Sequence, residues 1–305
     1  MVNICCLLDA CTAINLIHID DENDFILKKL EKLDFYINEV VFNEIKDNVY
    51  ARLDIRDSLK YSNKEDIAKT KKIIEKKLTF FRGKKNDNNI LLKELGTDFF
   101  ERIKVLTNYT KRPNGELCST AYGLYISRCD EKKIFFYTDD IPAKDFFAPF
   151  FDYQQIGHIK DSVDLIILLY WLDEKFTEPQ IKKILSDLHS QYSTDVTLLL
   201  RNLQSFQQTF VDAKYRKSYK DVTEKLSLLI HKLQQFKFQG ISEIKIFFES
   251  KRAKHKNINE ILDQFSSVFD LDNSIENENL LEKIKRIITQ IDSDKVYKLL
   301  DLCSA

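Results

Sequence analysis

Residues 1–17 read MVNICCLLDACTAINLI, and the run from Ile4 to Leu8, closed by Asp9, decides the fold. Five apolar or thiol-bearing residues in succession suit a strand covered on both faces, as in a parallel sheet. Such a strand has no room for a carboxylate in its middle, and Asp9 stands at its end. Open α/β sheets place their sites at the carboxyl ends of parallel strands. Asp9 could equally cap a helix begun near Thr12, because Asp is a preferred cap residue. Other segments must supply partners before the two can be separated.

The 305 residues allow one or two domains. Apolar residues at 44% and charged residues at 31% give an ordinary globular balance. Six glycines and four prolines are too few for long flexible linkers or an all-β protein built from tight turns. A formal net charge of −1 gives no global signal for nucleic acid or membrane. Between Arg56 and Arg112, however, sixteen Lys/Arg face eight Asp/Glu, a local net of +8. That segment reads either as a solvated helical face or as a phosphate-contacting one.

Cys5, Cys6, Cys11, Cys118, Cys129 and Cys303 form no CxxC pair and have no His at zinc-ligand spacing. No charged leader with an apolar run and cleavage site is evident, and DLIILLYWL near Trp171 is too short to span a bilayer. A cytoplasmic chain with reduced cysteines in its core is expected.

Strands are expected at Asn3–Leu8, Phe35–Ile37, Lys133–Tyr137 and Gln154–Gly157. Between them, helical spacing covers Thr12–His18, Asp24–Leu33, the Val41/Ile45/Val49/Leu53 stripe, Lys64–Phe80, Ile90–Asn108, a helix from Glu116, and Ala143–Phe150. RGKKNDNN, residues 82–89, reads as a polar loop, and Arg112–Gly115 (RPNG) as punctuation. Beyond Asp161 strand signals nearly stop. Val163–Leu172, Glu178–His189, Val196–Ala213, Val222–Phe236, Ile258–Phe269 and Leu280–Cys303 are helical, while Glu243–Phe248 (EIKIFF) suits strand or helix. The expectation is an α/β domain over 1–160, with a basic helical insertion at about 56–112, and an all-α region over 161–305.

Asp9 and the Asp139-Asp140 pair end apolar strands, while Glu44 and Glu116 lie near helix starts that right-handed crossovers crowd onto the same edge. Each has a plainer explanation. Glu44 and Glu116 could complement helix dipoles, and the two aspartates could be turn residues. Taken together, four or five carboxylates on one edge would repel, and Mg²⁺ or Mn²⁺ is the natural remedy.

The ordered series CLLDACTAI, VVFNEI, NGELCSTAYGL and a strand ending in TDD resembles the PIN domain over roughly Met1–Lys160. The resemblance implies a central parallel sheet flanked by helices and a metal-dependent ribonuclease. By that resemblance Asp9 is the principal metal ligand and Glu44 the second acid. Glu116 is the third, and Asp140 is the strand-end aspartate, with Asp139 auxiliary. Thr12 resembles a hydroxyl residue that holds a ligand or phosphate oxygen. The stretch from Tyr153 through Leu185 is similar to the closing strand and helices of one prokaryotic branch. The long basic segment and the helical tail after about Asp195 depart from a minimal member.

The implied chemistry is hydrolysis of RNA phosphodiesters with two bound cations. Lys71, Lys72, Lys76, Lys77, Arg82, Lys84 and Lys85 form the expected phosphate-binding lip, with Phe80 and Phe81 better suited to the core. KRAKHK at 251–256 is a second basic cluster. The five histidines are scattered, and neither a nucleophile elbow, a Walker loop nor a GxGxxG is present. A HAD-like phosphatase would need a second acid in DxDxT, and here Ala10 and Cys11 follow Asp9. The readings carried forward are an endoribonuclease, in a toxin–antitoxin or phage-defence setting, and a non-catalytic PIN-like scaffold binding RNA or protein. In the first, the helical region would recognise RNA, an inhibitor protein or another subunit; in the second it carries the interaction, and a homo-oligomer is open in both.

Overall fold

The computed structural model describes residues 4–58, 63–86, 96–110, 112–209, 220–250, 252, 255–274 and 278–299. Contacts divide the chain into one compact unit, 1–184 with 296–305, and a second, 185–295.

The first unit is built on a parallel sheet of β1 (Ile4–Leu8), β2 (Phe35–Asn38), β3 (Lys85–Asn86), β4 (Lys133–Tyr137) and β5 (Gly157–Lys160), in the order β3-β2-β1-β4-β5. The α/β expectation holds. The chain winds outward from β1 to β3 on one side, then returns to lay β4 and β5 on the other. The direction therefore reverses between β1 and β4, the switch point at which such sheets form crevices. Cys5, Cys6, Leu7 and Leu8 are all buried, as a central strand requires.

The helices of this unit are α1 (Ala10–Ile19), α2 (Phe25–Leu30), α3 (Glu39–Asn48), α4 (Ala51–Ser58), α5 (Lys64–Arg82), α6 (Thr97–Thr107), α7 (Gly115–Cys129), α8 (Ile141–Tyr153) and α9 (Ser162–Leu172). One core layer joins Cys5, Leu7, Ile134 and Phe136 of the sheet to Leu117 and Ala121 of α7 and Phe147 and Phe151 of α8. Phe81 is fully buried, and Phe80 stacks on Phe35 at 5.8 Å between centroids, so both phenylalanines serve packing.

Several boundaries differ from the sequence reading. The polar run 82–89 contains β3, whose two residues pair with Ile37 and Asn38 through the backbone alone. β5 begins at Gly157, where the expected strand ended. A Cβ at Gly157 would stand 1.8 Å from the Ile134 carbonyl oxygen, so only glycine lets β5 approach β4 there. The helix expected over 90–108 is seen from Thr97 to Thr107, with 90–95 outside the described residues.

Helix α10 (Glu178–Thr209) joins two expected helices into one, since nothing between His189 and Val196 breaks the backbone ladder. The division between units falls within it, later than the boundary at 160. Considered alone, the second unit continues with α11 (Lys220–Gln234), α12 (Ile241–Glu249), α13 (Lys256–Gln264), a 3₁₀ turn (Ser266–Leu271) and α14 (Leu280–Asp292). EIKIFF is thus helical. Helix α14 starts with a reciprocal Asn279–Glu282 capping box and ends at Asp292, short of the expected Cys303. Residues 300–303, and 251, 253 and 254 of KRAKHK, lie outside the described residues.

Candidate functional site

Leu8 of β1 pairs with Tyr137 of β4, so the residues after each strand emerge side by side at the switch point. The Asp9 N–H donates to the Tyr137 carbonyl at 2.9 Å. Asp9 occupies the N-cap position of α1, yet its carboxylate caps nothing. Its Oδ2 instead accepts Thr138 Oγ1 at 2.9 Å and the Cys11 thiol at 3.2 Å. Cys11 Sγ in turn accepts the Asp139 N–H at 3.1 Å. Asp9 is buried, and burial pushes its carboxyl up to about 6. The charges of Asp140 and Glu44 add to that, against the Ala10 N–H and the Cys11 thiol.

Glu116 lies in the first turn of α7, which Asn114 caps by accepting the Leu117 N–H at 3.2 Å. It is 8% exposed and its Oε2 has no hydrogen-bond partner. Burial, then the adjoining Asp140 carboxyl, then Asp9, push it up to about 10, with the Asn114 amide opposing. Glu44 is held across from it: its Oε1 accepts the Gly115 N–H at 3.1 Å. Burial raises Glu44, the Gly115 N–H lowers it, and Asp140 raises it further. Asn38 completes this junction. It caps α3 by accepting the Val41 N–H at 2.9 Å and donates to Ser119 Oγ at 2.8 Å and to the Gly115 carbonyl at 3.3 Å.

The electrostatic couplings run Asp9–Asp140, Asp9–Glu44, Glu44–Asp140, Glu116–Asp140 and Glu116–Asp9. Asp140 therefore neighbours Asp9, Glu44 and Glu116, and Asp9 neighbours Glu44 and Glu116. Asp140, half-buried at the start of α8, makes no capping bond, and its N–H donates to Thr138 Oγ1 at 3.1 Å.

Asp139 turns elsewhere. Its Oδ1 accepts the Ser162 N–H at 2.8 Å, and its Oδ2 accepts Asn15 Nδ2 at 2.6 Å and the Ser162 hydroxyl. Asn15 Oδ1 accepts Arg52 Nη1 at 3.1 Å, and Ser162 Oγ reaches the buried Thr12 Oγ1 at 3.3 Å. Burial above all, with the Asp161 charge, raises Asp139. Thr12 and Asp139 thus share a bracing network beneath the switch point, whereas the other four acids crowd together.

The basic helix divides similarly. Lys77 is 1% exposed, donating to the carbonyls of Asp20 at 2.7 Å and Ile17 at 3.1 Å. It cannot belong to a phosphate lip, which corrects the sequence reading. Its helical position turns it inward beside Ile74, Leu78 and Phe81. Lys76 pairs with Asp24, Lys71 with Asp54 at 3.6 Å, and Lys85 with Glu39 at 3.3 Å. Arg82 and Lys85 lie over the Phe42 ring, Lys84 lies over the Phe35 ring, and Lys72 is exposed. Helix α5 packs against α1 and α3, which carry Thr12 and Glu44.

Tyr109, Asn114, Asn38, Asn15, Ser162 and Thr138 were absent from the sequence-derived site. Of these, only Thr138, the first residue of TDD, and Asn114, the first of NGELCSTAYGL, lie in the ordered sequence motifs. Among the described residues no group of three or more His, Cys, Asp or Glu side chains stands in metal-holding geometry, and no helix is long and apolar enough to cross a membrane. No family model, curated protein or solved structure matches the chain.

Proposed function

We propose that this chain is a divalent-cation-dependent phosphodiesterase of the PIN-like kind, cutting RNA. The observation that carries the reading is the crowding of Asp9, Glu44, Glu116 and Asp140 at the switch point, with the buried Glu116 Oε2 unpartnered. A buried carboxyl oxygen without a donor is a liability of roughly 1–3 kcal/mol unless something else serves it. Asp9, Glu44 and Glu116 hold their protons more tightly than ordinary carboxyls, and a cation would take the place of those protons. The residues therefore fit Mg²⁺ or Mn²⁺, held by Asp9, Glu116 and Asp140, with Glu44 adjoining.

When bound, such ions supply Lewis acidity and lower the pKa of water. The protein's own contribution is orientation. Thr138 and Cys11 fix one oxygen of Asp9, while the Gly115 N–H fixes one oxygen of Glu44. Asp139, Asn15, Ser162 and Thr12 brace the strand ends from below. Lys72 and its neighbours on α5 offer cations to the phosphate backbone of RNA.

The second reading, a PIN-like module that binds without cutting, is favoured by the lack of a group already in metal-holding geometry among the described residues. Labelled single-stranded RNA incubated with the protein and Mn²⁺, beside EDTA and Asp9→Asn controls, separates the two. Cleavage is expected only with metal and Asp9. Cleavage that survives EDTA or Asp9→Asn would overturn the metal-dependent reading. RNA binding without cleavage or metal uptake would establish the binding module.

A further inference from the structure

Three large apolar side chains at one place in the first unit stand nearly clear of the fold. Tyr153 is 87% exposed, Val105 76% and Leu106 65%, the highest values for large apolar side chains among the described residues. Apolar residues exposed singly need no explanation, but three together mark a contact surface. Val105 and Leu106 lie in the last turn of α6, and Tyr153 ends α8. The Tyr109 ring, just past α6, joins the two helices by packing on Phe146 and Phe147 of α8, at 5.5 and 5.1 Å between centroids. Beside that junction runs a groove of about 520 Å³, lined chiefly by Leu106, Phe146, Pro149, Phe150 and Tyr153.

Its charges are unanswered. Asp145, exposed on the α8 wall, is the one charged residue of the lining and has no ion pair among the described residues. On the α6 wall Arg102 is exposed too, one turn before Leu106 and on the same face by helical spacing. It likewise lacks an ion-pair partner among the described residues, because the neighbouring Glu101 and Lys104 pair with each other at 3.3 Å. The groove thus has one acidic and one basic wall, neither neutralised within the chain.

A foreign partner would have to supply both signs in the right places. A second copy supplies them by symmetry. A two-fold axis across the groove lays the α6 wall of one copy on the α8 wall of the other, so each Arg102 meets the partner's Asp145. The same rotation sets the projecting Val105 and Leu106 of each copy toward the partner's Pro149 and Tyr153. Tyr and Arg concentrate at such contacts, and Lys, which is depleted there, is missing from the lining.

We infer that the groove between α6 and α8 is a dimerisation surface, closed by a second copy of this chain through two Arg102–Asp145 pairs around an apolar centre. The inference does not depend on the metal-dependent reading. Two helices a side make a small contact, so the dimer should exchange with single chains on dilution.

The test is sedimentation of the full chain over a wide dilution series, with thermal melts beside it, for native protein, Arg102→Asp, Asp145→Arg, the double charge swap and Leu106→Asp. Native protein should pass from one chain to two as concentration rises, and less readily in high salt. Each single reversal should weaken dimerisation about tenfold, because it sets like charges together twice across the axis. The double swap restores opposite charges at both pairs and should bring the dimer back. Leu106→Asp should abolish it. The substituted side chains are all exposed, so the single-chain melts should stay close to native. Native protein that remains a single chain at every concentration overturns the inference and leaves the groove to a foreign partner. A dimer untouched by Leu106→Asp and by both reversals lies elsewhere and overturns it equally. So does a double swap that dimerises no better than the single reversals.

Discussion

Glu44 Oε1 accepts the backbone N–H of Gly115 at 3.1 Å, so a carboxylate on α3 holds the first residue of the helix that carries Glu116. The approach leaves no room for a side chain. A Cβ at 115 would lie 2.5 Å from Glu44 Oε2 and 2.8 Å from Val41 Cγ2. Gly115→Ala is expected to displace Glu44 and destabilise the chain by about 1–3 kcal/mol. Denaturant titration measures the loss. An unchanged midpoint would mean that α3 and α7 are not locked here.

The two aspartates after β4 should separate under mutation. Asp139→Ala strips partners from Asn15 and from both the N–H and hydroxyl of Ser162, an expected loss of about 3 kcal/mol. Asp140→Asn removes a like charge beside Glu116 and Asp9, so the metal-free protein should melt at the same temperature or higher while losing Mn²⁺ affinity. Melts and calorimetry on the pair decide it. Equal destabilisation by both would contradict the division of labour.

Stability should fall as pH rises. Asp9 holds its proton up to about 6 and Glu116 up to about 10, with Glu44 and Asp139 also raised. In the unfolded chain such carboxyls ionise near pH 4, so above that the native state binds more protons and loses stability with each step of pH. The loss finishes for Asp9 near 6 and for Glu116 near 10. Asp140 stands beside Asp9, Glu44 and Glu116 without supplying positive charge, whereas Lys144 opposes and Asp161 adds to the rise of Asp139. Asp173 runs the other way. Lys29 and Lys32 depress it, and its contribution disappears only as pH falls below about 4. Melts in EDTA from about pH 5 to about pH 9 should therefore decline, and Mn²⁺ should reverse the slope by displacing protons. A metal-free Tm that climbs with pH would refute the assignment.

Lys77 and Lys72 sit on one helix with opposite consequences. Lys77→Met leaves the buried Asp20 carboxylate, 3.9 Å from Nζ, and two carbonyls without their cation, for about 3 kcal/mol of stability. Lys72→Ala should leave the melt unchanged. If α5 meets RNA, it should weaken binding across sequences and lower the salt slope by about one. Salt-dependent binding of labelled RNA reads this directly, and an unaltered slope would move the phosphate path away from Lys72.

Much of the scaffold was legible because its signals are local. ICCLL is apolar or thiol-bearing throughout, KIFFY is so after its leading lysine, and the carboxylates stand in chain order, so a gathering of Asp9, Glu44, Glu116 and Asp140 could be expected from their order taken together. What escaped depends on partners distant in sequence. Two residues of β3 carry no pattern, and their pairing with Ile37 and Asn38 is backbone only. Asn15 and Ser162 are ordinary polar residues until Asp139 brings them together across the fold. Tyr109 is indistinguishable from any core aromatic until the fold buries its hydroxyl without a partner. Lys77 looks like its neighbouring lysines, and only the packing of α5 turns it inward.

The bracing of Asp139 by Ser162 sets the seam along which this chain can be recombined. A fragment ended at residue 160 would keep every strand and every crowded acid, yet lose both the hydroxyl and the N–H that Ser162 offers. The returning segment adds a second tie. Lys298 Nζ donates to the carbonyls of Asp173, Glu174 and Phe176 at 3.0, 2.7 and 2.7 Å. Exchange of the helical region with that of another protein would therefore have to spare α9 and the stretch around Lys298. A junction at residue 160 would cut these ties, whereas an exchange confined to 185–295 would leave them in place.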